Sequence, residues 1–179
     1  YKGYGHLNES KSNFNILSIG SAYNKNLCRL IGAVQQLDGV FLTLIGKQSG
    51  ETLEKLELAN INFCIKCELT KNELENEYNS ADMLYYASLK EGFGLPILEA
   101  QSAGLVVLTS NTTSMPYVAG NGALFVNPVD LNDIKRGVVS LMNDLNLVDE
   151  LRLKGYENIK RFRKEVYVKK YLKLYNDVF

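Results

Sequence analysis

Residues 91–100 (EGFGLPILEA) combine two carboxylates, two glycines and a proline within a short stretch of the chain. Gly92 and Gly94 have no Cβ atom, so the backbone can approach a bound molecule closely at these positions. Pro96 is typical of the first turn of a helix, where its missing N–H group is not needed. We therefore predict a helix that begins near Leu95 and presents free N–H groups and a positive dipole end to an anion.

Two glutamates flank this predicted anion site: Glu91 lies in the loop before the helix, and Glu99 lies one turn inside it. A carboxylate accepts hydrogen bonds from two neighbouring hydroxyl groups, so this pair indicates a ligand that also carries hydroxyls. A nucleoside diphosphate sugar has this composition, because its diphosphate lies between two polyols. Each glutamate alone is more typical of a solvated surface, and only the joint placement favours a ligand.

A second loop, residues 20–25 (GSAYNK), adds a cation. Gly20 ends the first predicted strand, and Lys25 is predicted at the start of the helix that follows. The loop lacks both the P-loop pattern G-x-x-x-x-G-K-[ST] and the dinucleotide pattern G-x-G-x-x-G. Simple nucleoside triphosphate or dinucleotide binding is therefore not favoured. Lys25 becomes a candidate for binding a diphosphate, although a lysine considered alone is usually solvated.

Apolar runs that are typical of buried strands alternate with helical periodicity along the chain. The predicted strands are residues 14–20, 40–46, 61–67, 83–87, 106–110 and 123–126. The predicted helices are residues 25–37, 50–59, 71–81, 96–103, 130–142, 147–161 and 165–178, with a helical turn at 114–119.

This alternation implies parallel pairing in a sheet that helices cover on both faces. We predict a Rossmann-like, three-layer α/β domain with a six-stranded parallel sheet at residues 14–179, after a linker at residues 1–13. In such sheets ligands bind beyond the carboxyl ends of the strands, where the loops with Lys25 and Glu91 both lie.

Charge and composition exclude some classes of function. The 179 residues include 20 basic and 20 acidic side chains, and this zero net charge does not favour a nucleic-acid partner. No apolar run reaches the length of a membrane span. From Arg152 to Lys173 the chain carries nine basic residues and two acidic ones. This segment is either a solvated helical face or a surface attracted to an anionic membrane.

The three cysteines are an odd number in a chain without an export signal, which predicts a reducing, cytoplasmic location. Cys64 and Cys67 have C-x-x-C spacing, but a zinc site needs two more ligands, and the only histidine, His6, is far away in the predicted linker. We interpret the two cysteines as thiols at the end of a strand. The chain begins with Tyr1, which suggests a piece of a longer protein.

The segment from Glu91 to Glu99 resembles the Glu-x7-Glu signature of the retaining glycosyltransferases of family 4, or glycosyl transferases group 1. The resemblance covers about residues 14–179. It extends to Ser88 and Gly104 and to the segments 19–20, 24–29, 109–111, 115–120 and 125–130.

The resemblance implies one half of a GT-B fold, namely the C-terminal, donor-binding domain of a two-domain enzyme, with the acceptor-binding N-terminal domain absent. It implies that Glu91 contacts hydroxyls of the donor sugar, that Glu99 contacts the ribose hydroxyls, and that Lys25 binds the diphosphate. Glu91 and Lys25 are then the catalytic residues. The donor site is completed by Gly20, Gly92, Phe93, Gly94 and Leu95.

One departure from the family concerns phosphate binding. Many members carry an arginine just after the glycine that ends the first strand, and Ser21 occupies that place here. Lys47 and Lys90 are candidates to replace the missing cation.

The resemblance further implies a cofactor-free and metal-independent hexosyltransferase, active on a UDP- or GDP-sugar. The acceptor is a glycan or a lipid-linked acceptor, and the role is in cell-surface polysaccharide synthesis. We expect a cytoplasmic protein, with peripheral contact to the inner membrane face as an option, and we expect this chain alone to be inactive. The alternative is a non-catalytic nucleotide-sugar binding domain, against which the intact Glu91, Glu99 and Lys25 argue.

The last predicted helix carries an aromatic stripe, Tyr167, Tyr171, Tyr175 and Phe179, in which residues four apart share one face. An apolar helical stripe usually packs on its own domain. In the fold that the resemblance implies, the C-terminal segment often reaches the other domain instead. Exposure of these rings distinguishes the two alternatives.

Overall fold

The structure, a computed structural model, describes residues 13–178. Its centre is a six-stranded, fully parallel sheet with the strand order β3-β2-β1-β4-β5-β6. The strands are β1 (Phe14–Ile19), β2 (Val40–Ile45), β3 (Asn62–Lys66), β4 (Met83–Tyr86), β5 (Val106–Ser110) and β6 (Leu124–Val126). The predicted Rossmann-like α/β fold is confirmed.

Helices connect the strands and form the outer layers. They are α1 (Leu27–Val34), α2 (Gly50–Leu58), α3 (Lys71–Ser80), α4 (Leu95–Ala103), α5 (Met115–Ala119), α6 (Leu131–Asn143), α7 (Leu145–Ile159) and α8 (Lys164–Val178). The predicted start of α4 near Leu95 is correct. The capping box that predicts the start of α3 is also present, with Thr70 and Glu73 bonding each other's backbone N–H groups.

The sheet is buried on both faces, so its strands read as continuous apolar runs. Consecutive strand residues point to opposite faces. Ile16 and Met83 pack in the layer with α1 and α6, whereas Leu17 and Leu84 pack in the layer with α3, α4 and α5. All four side chains are fully buried. The helices are thus fixed on the sheet, and the loops at its carboxyl edge have a rigid support.

The segment after β1 differs from its prediction. Residues 23–25 form a 3-10 turn, Asn26 adopts a left-handed conformation with φ of 62°, and α1 begins only at Leu27. The physical reason lies in the Asn26 side chain, which donates to the carbonyl oxygens of Ala87 at 3.1 Å and Pro128 at 2.6 Å. These bonds hold the loop with Lys25 against the end of β4.

A buried amide network joins α4 to the C-terminal part of the domain. Gln101 Nε2 donates to the carbonyl oxygens of Ala119 at 2.9 Å and Gly122 at 3.0 Å. Asn158 Nδ2 donates to Gln101 Oε1 at 2.8 Å and to the Val118 carbonyl at 2.8 Å. The position of α4 in the domain therefore depends on a residue in the last turn of α7.

Helix α8 exposes apolar side chains to solvent. Tyr171 is 61% exposed and Tyr175 is 62% exposed, with Leu172 and Leu174 similarly accessible. For these two rings, the alternative that the stripe packs on its own domain is wrong. The Tyr167 side chain, Phe179 and residues 1–12 of the predicted linker lie outside the described residues. No helix in the described part of the chain combines the length and apolar character that crossing a membrane requires.

Candidate functional site

The site lies where the strand order reverses. After β1 the chain builds the sheet outward to β2 and β3 on one side, and β4 then pairs with β1 on the other side. The loops after β1 and β4 therefore leave the carboxyl edge of two neighbouring strands in opposite directions, which opens a crevice between them. Open parallel sheets bind ligands at such a switch point. These two loops carry Lys25 and Glu91, and the structure brings both side chains together there.

Lys25 and Glu91 form a partly buried ion pair, with 2.7 Å between Nζ and Oε1 and side-chain exposures of 18% and 13%. Asn24 Nδ2 donates to the same carboxylate oxygen at 3.1 Å and to the Lys90 carbonyl at 2.9 Å. The Asn24 carbonyl in turn accepts from the Leu89 N–H at 2.8 Å. Two donors thus fix the Glu91 carboxylate, and sequence reasoning did not find Asn24 as one of them.

Tyr86 at the end of β4 is a further partner of Lys25. The ammonium group donates to the Tyr86 hydroxyl at 2.9 Å and lies 4.6 Å from the centre of its ring. Burial acts to lower the pKa of Lys25, but the hydrogen bonds to Glu91 and Tyr86 outweigh it and hold the pKa above its usual value. Lys25 is therefore a permanent cation at neutral pH, positioned by the side chains of Glu91 and Tyr86.

Gly20 is required by the path of the Lys25 side chain. Its φ of +96° is in the region that favours glycine, and an added Cβ atom would lie 2.6 Å from Lys25 Cε. The sequence analysis placed Gly20 at the end of a strand, and the family resemblance placed it in the donor site, without a link to Lys25. In the structure the Lys25 side chain packs directly against Gly20.

Replacement of Gly20 by alanine is expected to displace Lys25 and weaken nucleotide binding, with a loss of stability of about 1–2 kcal/mol from the unfavourable backbone conformation. Gly50→Ala is the matched control, because no atom lies within 4 Å of its added Cβ position and its φ is not positive. Isothermal titration and thermal unfolding measure the two effects. Equal nucleotide affinity in Gly20→Ala and the original chain would contradict the proposed position of Lys25.

The N-terminus of α4 is open towards the same edge. Gly94 precedes the helix with φ of 108°, Leu95 is 59% exposed, and no described side chain caps the first turn. A Cβ atom added to Gly92 would meet nothing within 4 Å. The chain itself therefore does not require glycine at this position, and the space over the loop is open.

The loop before α4 is held in place by Ser114, which directly precedes α5, and by Phe162, which follows α7. Ser114 Oγ donates to the Phe93 carbonyl oxygen at 2.8 Å and lies 3.2 Å from the Glu91 carbonyl oxygen. The Phe93 ring makes an edge-to-face contact with Phe162, with 6.0 Å between ring centres. Tyr117 meets Phe162 in the same way at 6.1 Å. These contacts join residues distant in sequence, and the sequence analysis did not predict them.

Glu99 lies apart from the Lys25–Glu91 pair, one turn along α4. Its Oε2 accepts a hydrogen bond from the Tyr78 hydroxyl at 2.6 Å. Both residues line a groove of about 470 Å³ between α3 and α4, together with Lys71, Leu74, Glu75, Asn79, Leu98, Ser102 and Ala103. A ligand that contacts both motif glutamates must therefore extend from the β1–β4 crevice along the start of α4.

The remaining residues considered for the site are distributed around it. Ser21 follows Gly20, and the exposed Lys47 and Lys90 lie in the loops after β2 and β4. Cys64 and Cys67 are free thiols, as is Cys28. Across residues 13–178, no three His, Cys, Asp or Glu side chains are grouped so that they could hold a metal ion.

The fold and the candidate site together define an α/β domain with a cation, a carboxylate and the open N-terminus of a helix at its switch point. The family described as Glycosyl transferases group 1 matches residues 6–173, and the chain belongs to this family. A similar curated protein is the O-antigen chain mannosyltransferase B of Escherichia coli, which is 38% identical over 85 residues. That match covers 48% of this chain and 22% of the relative.

Solved structures show the same fold. A sucrose-phosphate synthase from Thermosynechococcus elongatus superposes with a TM-score of 0.80 at 21% identity, covering 97% of this chain and 47% of that one. HepE of Anabaena, solved in complex with UDP and glucose, superposes with a TM-score of 0.82 at 14% identity. That match covers 93% of this chain and 49% of HepE. The chain thus spans about half the length of these proteins, and its fold is one half of the GT-B fold.

Proposed function

We propose that residues 14–179 are the donor-binding domain of a retaining hexosyltransferase. It transfers a hexose from a UDP- or GDP-sugar to a glycan or lipid-linked acceptor in cell-surface polysaccharide synthesis. The observation that carries the proposal is the Lys25–Glu91 pair, held 2.7 Å apart beside the open N-terminus of α4. The similarity to an O-antigen chain mannosyltransferase supports the hexose and the polysaccharide.

In the proposed reaction the enzyme stabilises charge on the departing diphosphate. Lys25 and the N–H groups of α4 supply this stabilisation without a metal ion or another cofactor. Glu91 holds hydroxyls of the sugar while positive charge develops at the anomeric carbon, and Glu99 holds the ribose. The backbone of Gly92, Phe93, Gly94 and Leu95 forms the surface between them, and Gly20 keeps Lys25 in place.

We propose further that an N-terminal acceptor-binding domain completes the enzyme. The coverage of about half of the two solved structures supports it, and so do the exposed rings of Tyr171 and Tyr175 on α8, which a second domain would cover. The proposed location is cytoplasmic. Contact with the inner membrane face is supported by the basic segment from Arg152 to Lys173.

The isolated 179-residue chain is expected to bind a nucleoside diphosphate but to transfer no sugar, because the acceptor side of the cleft is missing. Titration with UDP, GDP and ADP identifies the base, and an assay with the corresponding sugar nucleotide and a glycan acceptor measures transfer. If the chain binds none of the three diphosphates, the donor-binding role is rejected. Sugar transfer by the chain alone would reject the need for a second domain.

A further inference from the structure

Tyr78 is a buried tyrosine whose hydroxyl meets the second glutamate of the motif. It belongs to α3, is 4% exposed, and packs in the apolar layer that also contains Leu84 and Ile97. A tyrosine has only two side-chain torsions, and close packing fixes both of them here. The hydroxyl that donates to Glu99 Oε2 at 2.6 Å is therefore a fixed point at the groove between α3 and α4.

Glu99, in contrast, stands on an exposed position of α4. A glutamate has three side-chain torsions, and ordering such a side chain costs free energy when a ligand binds. Among the residues that the structure describes, Tyr78 is its only hydrogen-bond partner. One carboxylate oxygen is thus occupied by a protein donor, while Oε1 remains available to accept from a ligand.

The Tyr78 hydroxyl keeps its proton in this environment. Burial, followed by the hydrogen bond to Glu99, raises the pKa of Tyr78 far above its usual value. Tyr78 therefore acts only as a donor at working pH and leaves Glu99 as the acceptor. An unpaired hydroxyl in the same place would be costly, so the two groups hold each other in one arrangement.

We propose that Tyr78 is a positioning residue for the nucleotide. It holds Oε2 of Glu99 so that Oε1 points to the ribose hydroxyls before the ligand arrives. The inference rests on the proposed function, in which Glu99 binds the ribose, and adds the residue that prepares Glu99 for it. The competing interpretation is that the bond only fastens α3 to α4, in which case its loss affects all ligands alike.

The test compares GDP and UDP with their 2′,3′-dideoxy forms by isothermal titration on the full chain. The dissociation constant of the dideoxy form divided by that of the normal nucleotide measures the contribution of the ribose hydroxyls. Affinity for the dideoxy form shows that the site is folded. Tyr78→Phe removes only the hydroxyl and is expected to lower the ratio about three- to tenfold, with the dideoxy constant unchanged. Tyr171→Phe on α8 is the matched control and should leave the ratio as it is.

Glu99→Gln is expected to lower the ratio at least as far, and the double variant no further than Glu99→Gln alone. If Tyr78→Phe keeps the full ratio while Glu99→Gln loses it, Glu99 binds ribose but the positioning role of Tyr78 is wrong. If Glu99→Gln also keeps the ratio, the ribose assignment fails and the inference fails with it. Loss of affinity for both forms in Tyr78→Phe would show the purely structural role and equally overturn the proposal.

Discussion

Lys25→Met is expected to weaken binding of a nucleoside diphosphate by about 2–3 kcal/mol, or roughly 30- to 150-fold in Kd. The methionine keeps the unbranched stem over Gly20 but removes the cation. It also leaves the Glu91 carboxylate, which is 13% exposed, without its positive partner beside an incoming anion. A nucleoside monophosphate should lose less, because it brings less charge to the site. Isothermal titration of both ligands measures the difference.

The control for this substitution is Lys55→Met, which removes another ion-paired lysine, on helix α2. Lys55 pairs with Glu51 at 2.8 Å and is 43% exposed. A lysine considered alone is usually solvated, and salt screens an exposed charge strongly. The structure shows only 18% exposure for Lys25, so added salt should reduce the effect less than at an exposed pair. Equal losses for diphosphate and monophosphate would remove Lys25 from the phosphate site.

The pH dependence of this contribution follows from the raised pKa of Lys25. A lysine whose pKa is raised keeps its charge at every pH below the usual lysine range and loses it only as the pH rises through the higher value. The contribution of Lys25 should therefore be constant across neutral pH and decline only in strongly alkaline solution.

Glu91→Gln is expected to act in opposite directions on two ligands. Bare nucleoside diphosphate should bind as well as before or more tightly, because Lys25 no longer shares its charge with a carboxylate. The preference for the full sugar nucleotide over the bare nucleotide should fall by about 1.5–3 kcal/mol, as when a hydrogen bond to a charged group is lost. The glutamine can still accept from Asn24 and Lys25, so the loop should keep its shape.

Titration of a sugar nucleotide and its diphosphate against both chains measures this change in preference. Glu51→Gln, at the exposed partner of Lys55, is the matched control. Equal weakening of both ligands by Glu91→Gln would show that the ion pair only supports the loop and does not meet the sugar.

Local signals in the sequence predicted the elements well. Gly94 and Pro96 identified the start of α4, and Thr70 with Glu73 identified the start of α3, because each signal acts within one helical turn. The start of α1 was placed too early. The left-handed turn at Asn26 depends on bonds to residues 61 and 102 positions away, which no local pattern contains.

The candidate site divides in the same way. The motif glutamates and Lys25 stood out by residue type and by their place after strands. Asn24, Tyr86 and Tyr78 did not, because an asparagine or tyrosine near the end of an element is unremarkable until its partner is known. Tyr86 meets Lys25 from 61 positions away, and Tyr78 meets Glu99 from the neighbouring helix. Such contacts can be identified only once the order of the strands in the sheet, and hence which elements are neighbours, is known.

The amide network below α4 also sets an order of events during translation. All the proposed donor-binding residues have been synthesised once α4 is complete, yet Gln101 must wait for Asn158, 57 residues later in the chain. A nascent chain that lacks Asn158 leaves a buried amide oxygen unpaired, which is costly in a closed interior. We therefore expect ribosome-stalled chains to gain nucleotide-dependent protease protection only after Asn158 has emerged, and earlier protection would contradict this. On this basis the helix that carries Glu99 completes the set of site residues well before α7 is synthesised, yet it is secured only when Asn158 has joined it.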